Sequence, residues 1–475
     1  MPDVSSLFLV VGLLWLAWEL FMFRKSNGLP TLRTWPLIGS LPSLIFHKDR
    51  LAMLQEANEK YGERLQFFSI GLSDPLRIIW LFNPDHVHYF LETNFKNYER
   101  RTPNVHFKKL FGEGIFVANG KSWKRQRQTA RHLFYPTHLE TMVPIFQRNG
   151  DVLLSQLNEA RIDKKPVDIQ ELFMRFTLDS IGEIGFGHSI NSLNQPVAFS
   201  HAFNEAQRAA EAEARNPLKR FVKDRDFEKH YETLHAFTRE IIHKRKAAND
   251  YHDRTDMLSR FMCGKDPITN EPFTDETLED ILLNFFIAGR DTTAILLTWT
   301  FYLLAKNPDV EQKLIDEVDT VLKGEKPTMQ TVSEMPYLRK VLDETLRLYP
   351  PVPSDGRTAK DDDVLPDGTK VPAGTILVYS AYVMGRSKEH WDEPLRFNPD
   401  RWDKPLKNPR AFVPFHAGPQ TCLGKPMAYL EAKMVVSQIL QKFRFRLVPG
   451  HEVFPTKSIV MPAAHGVKVF VEARQ

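Results

Sequence analysis

Phe415-His416-Ala417-Gly418-Pro419-Gln420-Thr421-Cys422-Leu423-Gly424 is a Gly- and Pro-containing loop that runs into a helix, and its reading orders the rest of the chain. The helix begins near Gly424 and continues through Met427, Ala428, Leu430 and Val435. Cys422 therefore stands just ahead of a helix N-terminus, where free N–H groups and the dipole favour a thiolate and should bring the thiol below its usual pKa of about 8.5. A lone cysteine is as readily a buried, inert one, and only this placement argues otherwise. Cys263 is the other cysteine in the chain, which excludes a disulfide scaffold and any cysteine-rich zinc or iron–sulfur site. The Gly418 to Gly424-Lys425 spacing is one residue too long for a phosphate-binding loop, and no Ser or Thr follows the lysine.

Two stretches upstream stand out beside this loop. The first starts after Thr274, a good N-cap with Asp275 and Glu276 in the first turn, and stops before Asn307 and Pro308. Such a helix would reach roughly 46 Å at 1.5 Å per residue. It is apolar on nearly every face from Ile281 to Ala305, which means burial on all sides, and Arg290 and Asp291 at its middle disfavour lipid. Its centre reads Ala288-Gly289-Arg290-Asp291-Thr292-Thr293, where the small residues let something bulky lie against the backbone. A packed helix with satisfied polar groups would read the same way in isolation. The second stretch carries Glu344 and Arg347, three apart on one face of a helix that closes at Pro350 and Pro351.

The remainder bounds the fold. Hydrophobic residues are 42% and charged residues 26% of 475, a balance that builds a large core and excludes a disordered or collagen-like chain. A net charge of +4 implies no nucleic-acid partner. Leu7 to Phe23 is apolar except for Glu19 and is followed by Arg24 and Lys25, which predicts a retained N-terminal anchor over residues 1–25. A removed signal peptide or an amphipathic surface helix are the alternatives. A stiff connector with Pro30 and Pro36 covers 26–40, and one compact body covers 41–475. Helical periodicity dominates from about Asp49 to Leu348, with strand candidates at Leu65–Phe68, Leu76–Leu81, Ile376–Tyr379 and Val467–Val471. The expected fold is mainly α with small β-sheets.

Taken in this order, with Trp123 and Arg127 in a Trp-x-x-x-Arg pattern upstream, these features resemble the cytochrome P450 superfamily over nearly the whole chain. The resemblance implies the cytochrome P450 fold, with haem b held by Cys422 as axial thiolate. It matches Ala288 and Gly289 to the oxygen pocket and Asp291 and Thr292 to proton delivery through a water, with Gly289 leaving space for dioxygen. Glu344, Arg347 and Arg401 correspond to a structural charge network behind the haem. Trp123, Arg127 and Arg357 correspond to propionate donors, and Phe415 opens the haem-binding pattern. One departure is Gln420, which stands where the family usually has arginine and brings one neutral hydrogen bond but no charge. Propionate pairing should then be weaker unless Arg127, Arg357 or His416 compensates. Lys121, Lys124, Arg125, Arg127, Arg131 and Lys425 would face an acidic flavoprotein reductase, which passes electrons from NADPH through its flavins, with cytochrome b5 as a further donor.

Three strings resemble more narrowly the plant and fungal P450s that hydroxylate fatty acids at or near the methyl end. They are Gly112 to Phe116 with Gly120 downstream, Asp362 to Gly368, and Tyr382 to Arg386. By that likeness Ile115, Phe116, Ile287, Ala288, Val352, Pro353, Ser354 and Ile459 face the substrate. The expected activity is a membrane-anchored monooxygenase of the endoplasmic reticulum, catalytic body in the cytoplasm, hydroxylating fatty acids at the terminal or a subterminal carbon. A P450 for alkanes or another lipophile is the first alternative, and a haem-binding storage or sensor protein without turnover is the second.

Overall fold

The computed structural model describes residues 10–18, 20–21, 29–32, 35, 39–40, 42–43, 47, 49–68, 77–101, 105–215, 219, 224–266, 269–456 and 458–474. Glu19, Arg24 and Lys25 of the expected anchor and Pro36 of the connector lie outside these residues. The chain forms two compact units. The smaller comprises residues 1–101, 354–394 and 406–421, and the larger comprises 102–353, 395–405 and 422–475.

The smaller unit is built on a five-stranded sheet in the order β1-β2-β8-β5-β3, with β1 Arg64–Phe68, β2 Arg77–Leu81, β3 Tyr98–Glu99, β5 Ser354–Ala359 and β8 Ile376–Ser380. All pairings are antiparallel except β2 with β8. Ile79, Leu81, Leu377 and Tyr379 alternate inward and pack with Val87, Phe90, Leu91 and Val413, as the period of two in a half-buried strand requires. A two-stranded ribbon, β6 Asp363–Val364 and β7 Lys370–Val371, belongs to the same unit.

The larger unit is helical, and its helices carry most of the expected site: α1 Gly120–Arg131, α2 Pro136–Asp163, α3 Ile169–Phe186, α4 Ala198–Arg215, α5 Arg225–Ala248, α6 Asp275–Lys306, α7 Pro336–Leu348 and α8 Lys425–Leu440. A small sheet, β4 Val167–Asp168, β10 Lys468–Ala473 and β9 Phe443–Leu447, completes it. Helix α6 starts where its cap predicts, the Thr274 hydroxyl accepting from the N–H of Thr277 at 3.2 Å, and it ends at Asn307 before a proline that cannot continue it. It is the core of this unit. Phe173 of α3 stacks on Phe301 at 5.5 Å and Phe186 meets Phe286 at 4.3 Å. Among the described residues α6 alone has the length and hydropathy to cross a membrane, yet 83% of its apolar window is buried, which makes it a core helix.

Candidate active site

Cys422 enters α8 as the sequence predicts, two residues before Gly424 caps the helix. The backbone N–H groups of Gly424 and Lys425 point at its sulfur, and Arg127 of α1 adds a favourable charge. Even so, the thiol pKa moves up, contrary to the expectation from the helix dipole, because desolvation outweighs these groups. The sulfur is nonetheless accessible. A thiol that is both desolvated and accessible lines an interior space, where a metal ion could supply the charge that the helix end alone does not. On α1, Arg127 lies over the Trp123 ring at 5.6 Å, the i,i+4 spacing placing both on one helix face. Burial lowers the Arg127 pKa, and Cys422 partly offsets it.

Glu344 and Arg347 of α7 form a fully buried pair at 2.7 Å. Five N–H donors converge on the Glu344 carboxylate. They are Nε and Nη2 of Arg347 at 2.9 and 2.7 Å, the amide of Asn398 at 2.9 Å, Nε of Arg401 at 2.9 Å and Nε1 of Trp402 at 3.1 Å. Arg347 also donates to the carbonyl of Arg396 at 3.0 Å. A carboxylate with all its lone pairs occupied has no capacity left for proton transfer, so this network ties residues 395–405 to α7. Trp402 and the Asn398 amide were not legible as members, because neither carries the charge that marks a motif.

At the centre of α6 the structure separates Asp291 from Thr292. The Thr292 hydroxyl donates to the Ala288 carbonyl at 2.6 Å, leaving its lone pairs free to accept from a water or a reactant. Thr292, Ala288 and Gly289 keep partial exposure in a helix that is otherwise mostly buried. Asp291 is 1% exposed, accepts from Nε2 of Gln207 on α4 at 2.6 Å, and pairs with Arg290 at 3.2 Å. Burial raises the Asp291 carboxyl pKa, against the opposing pull of Arg290 and Gln207. Asp291 also borders a polar cleft of about 430 Å³ with Asn204, Gln207, Glu211 and Ser458, a lining that suits water and not an apolar chain. A Cβ on Gly289 would meet Ile181 of α3 at 2.6 Å. This glycine is explained by the close approach of α3 and α6.

The smaller unit carries the remaining donors. Arg357 is 2% exposed and donates from Nε to the Gln420 side-chain oxygen at 2.9 Å and from Nη1 to Asp355 at 2.7 Å. His416 meets the same Asp355 oxygen at 2.9 Å. Burial pushes the Asp355 carboxyl up, but Arg357 and His416 outweigh it and hold the group well below the usual carboxylate range. The Gln420 side-chain oxygen accepts from Arg357, and its NH2 group keeps its capacity to donate. The neutral amide oxygen orients Arg357. Phe415 is half-buried in the same loop.

Residues 29–466 match the family model described as cytochrome P450. The chain belongs to the cytochrome P450 family. It is 34% identical to cytochrome P450 704B1 of Arabidopsis thaliana, over 99% of this chain and all of that protein, and 32% identical to cytochrome P450 86B1 of the same plant, over 98% and 90%. Noroxomaritidine synthase 2 of Narcissus pseudonarcissus is 30% identical over 97% and 94%.

This P450 is accordingly a haem-thiolate monooxygenase that takes electrons from NADPH through a partner reductase and acts on a lipophilic substrate. Its residues fit haem b. The donor set is one soft thiolate at an open helix end with a guanidinium and an indole on the neighbouring helix, and no His, Cys, Asp and Glu cluster for another metal exists among the described residues. Of the basic residues on α1, Lys121, Lys124 and Arg131 are exposed. Arg125 is taken out of that set by its ion pair with Asp266 and its place over Phe273 at 5.4 Å. Of the expected substrate wall in the larger unit, Phe116 is 37% exposed, Val352 and Ile459 are half-buried, and Ile115, Ile287 and Pro353 are buried. Ser354, half-buried, begins β5 of the smaller unit.

Proposed function

We propose that this P450 hydroxylates fatty acids at the terminal or a subterminal carbon. The observation that carries the reading is whole-length identity above 30% to the plant 704B1 and 86B1 proteins, with the three local strings of the fatty-acid group inside the aligned sequence. The wall residues Ile115, Phe116, Ile287, Val352 and Pro353 are apolar, which suits an acyl chain. Cys422, with Arg127 and Trp123 of α1, would hold haem, which when bound would supply the activation of dioxygen for insertion into an unactivated C–H bond. Thr292 accepts a hydrogen bond at the reacting oxygen through lone pairs left free by its own bond to Ala288. Asp291, with its raised pKa and its place beside the polar cleft, exchanges protons with water that the apolar wall excludes.

The helical residues 10–18 present Val10, Val11, Leu13, Leu14 and Leu16 outward at 51–66% exposure. That apolar surface supports an N-terminal membrane anchor, and Arg24 and Lys25 behind it support a cytoplasmic catalytic body at the endoplasmic reticulum. Cytochrome b5 is a further donor in this proposal.

The test is an optical titration of ferric protein with saturated C12 to C18 fatty acids, followed by reductase-supported turnover and product analysis. A saturating high-spin shift with ω or subterminal hydroxy acids is the expected result. A stable haem spectrum with no shift would refute the fatty-acid reading. A second reading, another lipophile, is favoured by the relative named noroxomaritidine synthase 2, which is 30% identical over 97% of this chain.

A further inference from the structure

Residues 111–116 form a loop of the larger unit that carries Ile115 and Phe116, and two polar side chains of α6 hold it. Asn284 is fully buried. Its Nδ2 donates to the Phe111 carbonyl at 2.8 Å and to the Asp280 carbonyl one turn back at 2.8 Å, and its Oδ1 accepts from the Phe116 amide at 3.1 Å. One turn earlier, Asp280 accepts from the Glu113 amide at 2.8 Å. The loop is shaped to receive both. A Cβ on Gly114 would meet Asn284 Nδ2 at 2.1 Å, and a Cβ on Gly112, at φ +51°, would meet the Asp280 carboxylate at 2.1 Å. On the other side, Gln126 of α1 donates to the Glu113 carbonyl at 2.8 Å.

Asn284, Ala288 and Thr292 recur at i, i+4 and i+8, so they share one face of α6. Eight residues put Asn284 about 12 Å from Thr292 along that axis. The backbone of the loop is thus fixed at a set height above the residue that serves the reacting oxygen. Phe116, 37% exposed beside the buried Phe111 ring at 5.6 Å, projects from it into open space. We propose that Asn284 is a positioning residue that sets where along a chain this P450 oxidises, by holding Ile115 and Phe116 at a fixed distance from Thr292. Asn284 touches no reacting atom. It acts through the loop, with Asp280 as its partner. The inference deepens the fatty-acid reading and rests on it for the natural substrate, while the clamp itself rests on the geometry above.

The test uses full-length holoprotein in three variants: Asn284→Ala, Gly114→Ala and the double variant. Haem content and the carbon monoxide spectrum establish that each is folded and loaded. The first readout is the ratio of binding constants for 4-phenylimidazole and imidazole, followed by their Soret shifts. It senses the room beside α6 and needs no natural substrate. The second is the ratio of terminal to subterminal products from dodecanoic acid. Both single variants should change both ratios several-fold, with total haem unchanged. The double variant should be no worse than the worse single one, because each breaks the same contact, whereas independent structural damage would add. Parental ratios in both loaded single variants would overturn the proposal, and so would additive effects in the double variant. If the parent binds the azoles but neither binds nor oxidises dodecanoic acid, the fatty-acid reading fails, and the azole ratio alone then decides the clamp.

Discussion

Replacing Glu344 by Gln tests whether the buried carboxylate holds structure or moves protons. The change keeps the shape and removes the charge. Five donors lie on this group, but a Gln offers one oxygen and turns an NH2 toward donors that need acceptors. Arg347, 0% exposed at its side chain, becomes a buried cation without its partner. Removing one member of a buried pair costs about 3–5 kcal/mol, and each orphaned N–H costs about 1–3 kcal/mol more when buried. These terms overlap because they share one carboxylate. A total near 5 kcal/mol is a large part of the roughly 5–15 kcal/mol that holds a folded domain together. The expected result is a fall in melting temperature of at least about 5 °C, measured on haem-loaded protein, with reduced haem recovery on expression. Salt should change this little, since water does not reach the pair. Turnover per haem in the surviving folded fraction should stay within a few-fold of the parent. A variant that melts like the parent would refute the network's structural role. Full stability with turnover per haem lost by about 10² or more would assign Glu344 to proton transfer.

Thr292→Ala removes the hydroxyl at the partly exposed face of α6 and should lower product formation by on the order of a hundredfold or more, while NADPH oxidation continues. Product per NADPH equal to the parent would remove Thr292 from proton delivery. Gln420→Leu strips Arg357 of its amide acceptor at a cost of about 1–3 kcal/mol. It should speed haem loss to apomyoglobin, and an unchanged rate would show that Arg357 needs no such support. Glu431 is buried near Ser180 and Thr293, yet neither of its oxygens reaches hydrogen-bonding geometry. Burial raises its pKa well above the usual 4.5, so the folded state keeps a proton that the unfolded chain gives up. The stability it contributes is full below about 4.5 and falls as pH rises toward the folded pKa. Glu431→Gln should therefore gain in melting temperature over the parent between about pH 5 and about pH 8, and parallel curves would contradict a protonated Glu431.

The elements with strong local chemistry were legible in the sequence. Helix α6 carries its own start in Thr274 and its own stop at Pro308, and the all-round apolar run between them can only be buried, so both its extent and its place followed from local rules. The Cys422 loop and the Glu344–Arg347 spacing were legible for the same reason. Tertiary structure decided everything that depends on what stands opposite a side chain. The dipole argument for Cys422 was sound locally, but desolvation by surrounding protein, a property of no single segment, reversed the direction of its pKa. That Ile181 of α3 packs against Gly289 followed from no local rule. The partnership of the Gln420 oxygen with Arg357 depends on β5, more than 60 residues away in sequence. Asn284 gave no signal at all, being one amide in an apolar helix, and acquires meaning only from the carbonyl of Phe111 and the amide of Phe116, some 170 residues away in sequence. Propensity, capping and charge spacing act within a few residues and can be read along the chain. Desolvation, close approach and hydrogen-bond partnership are set by contacts distant in sequence, and only the folded protein supplies them.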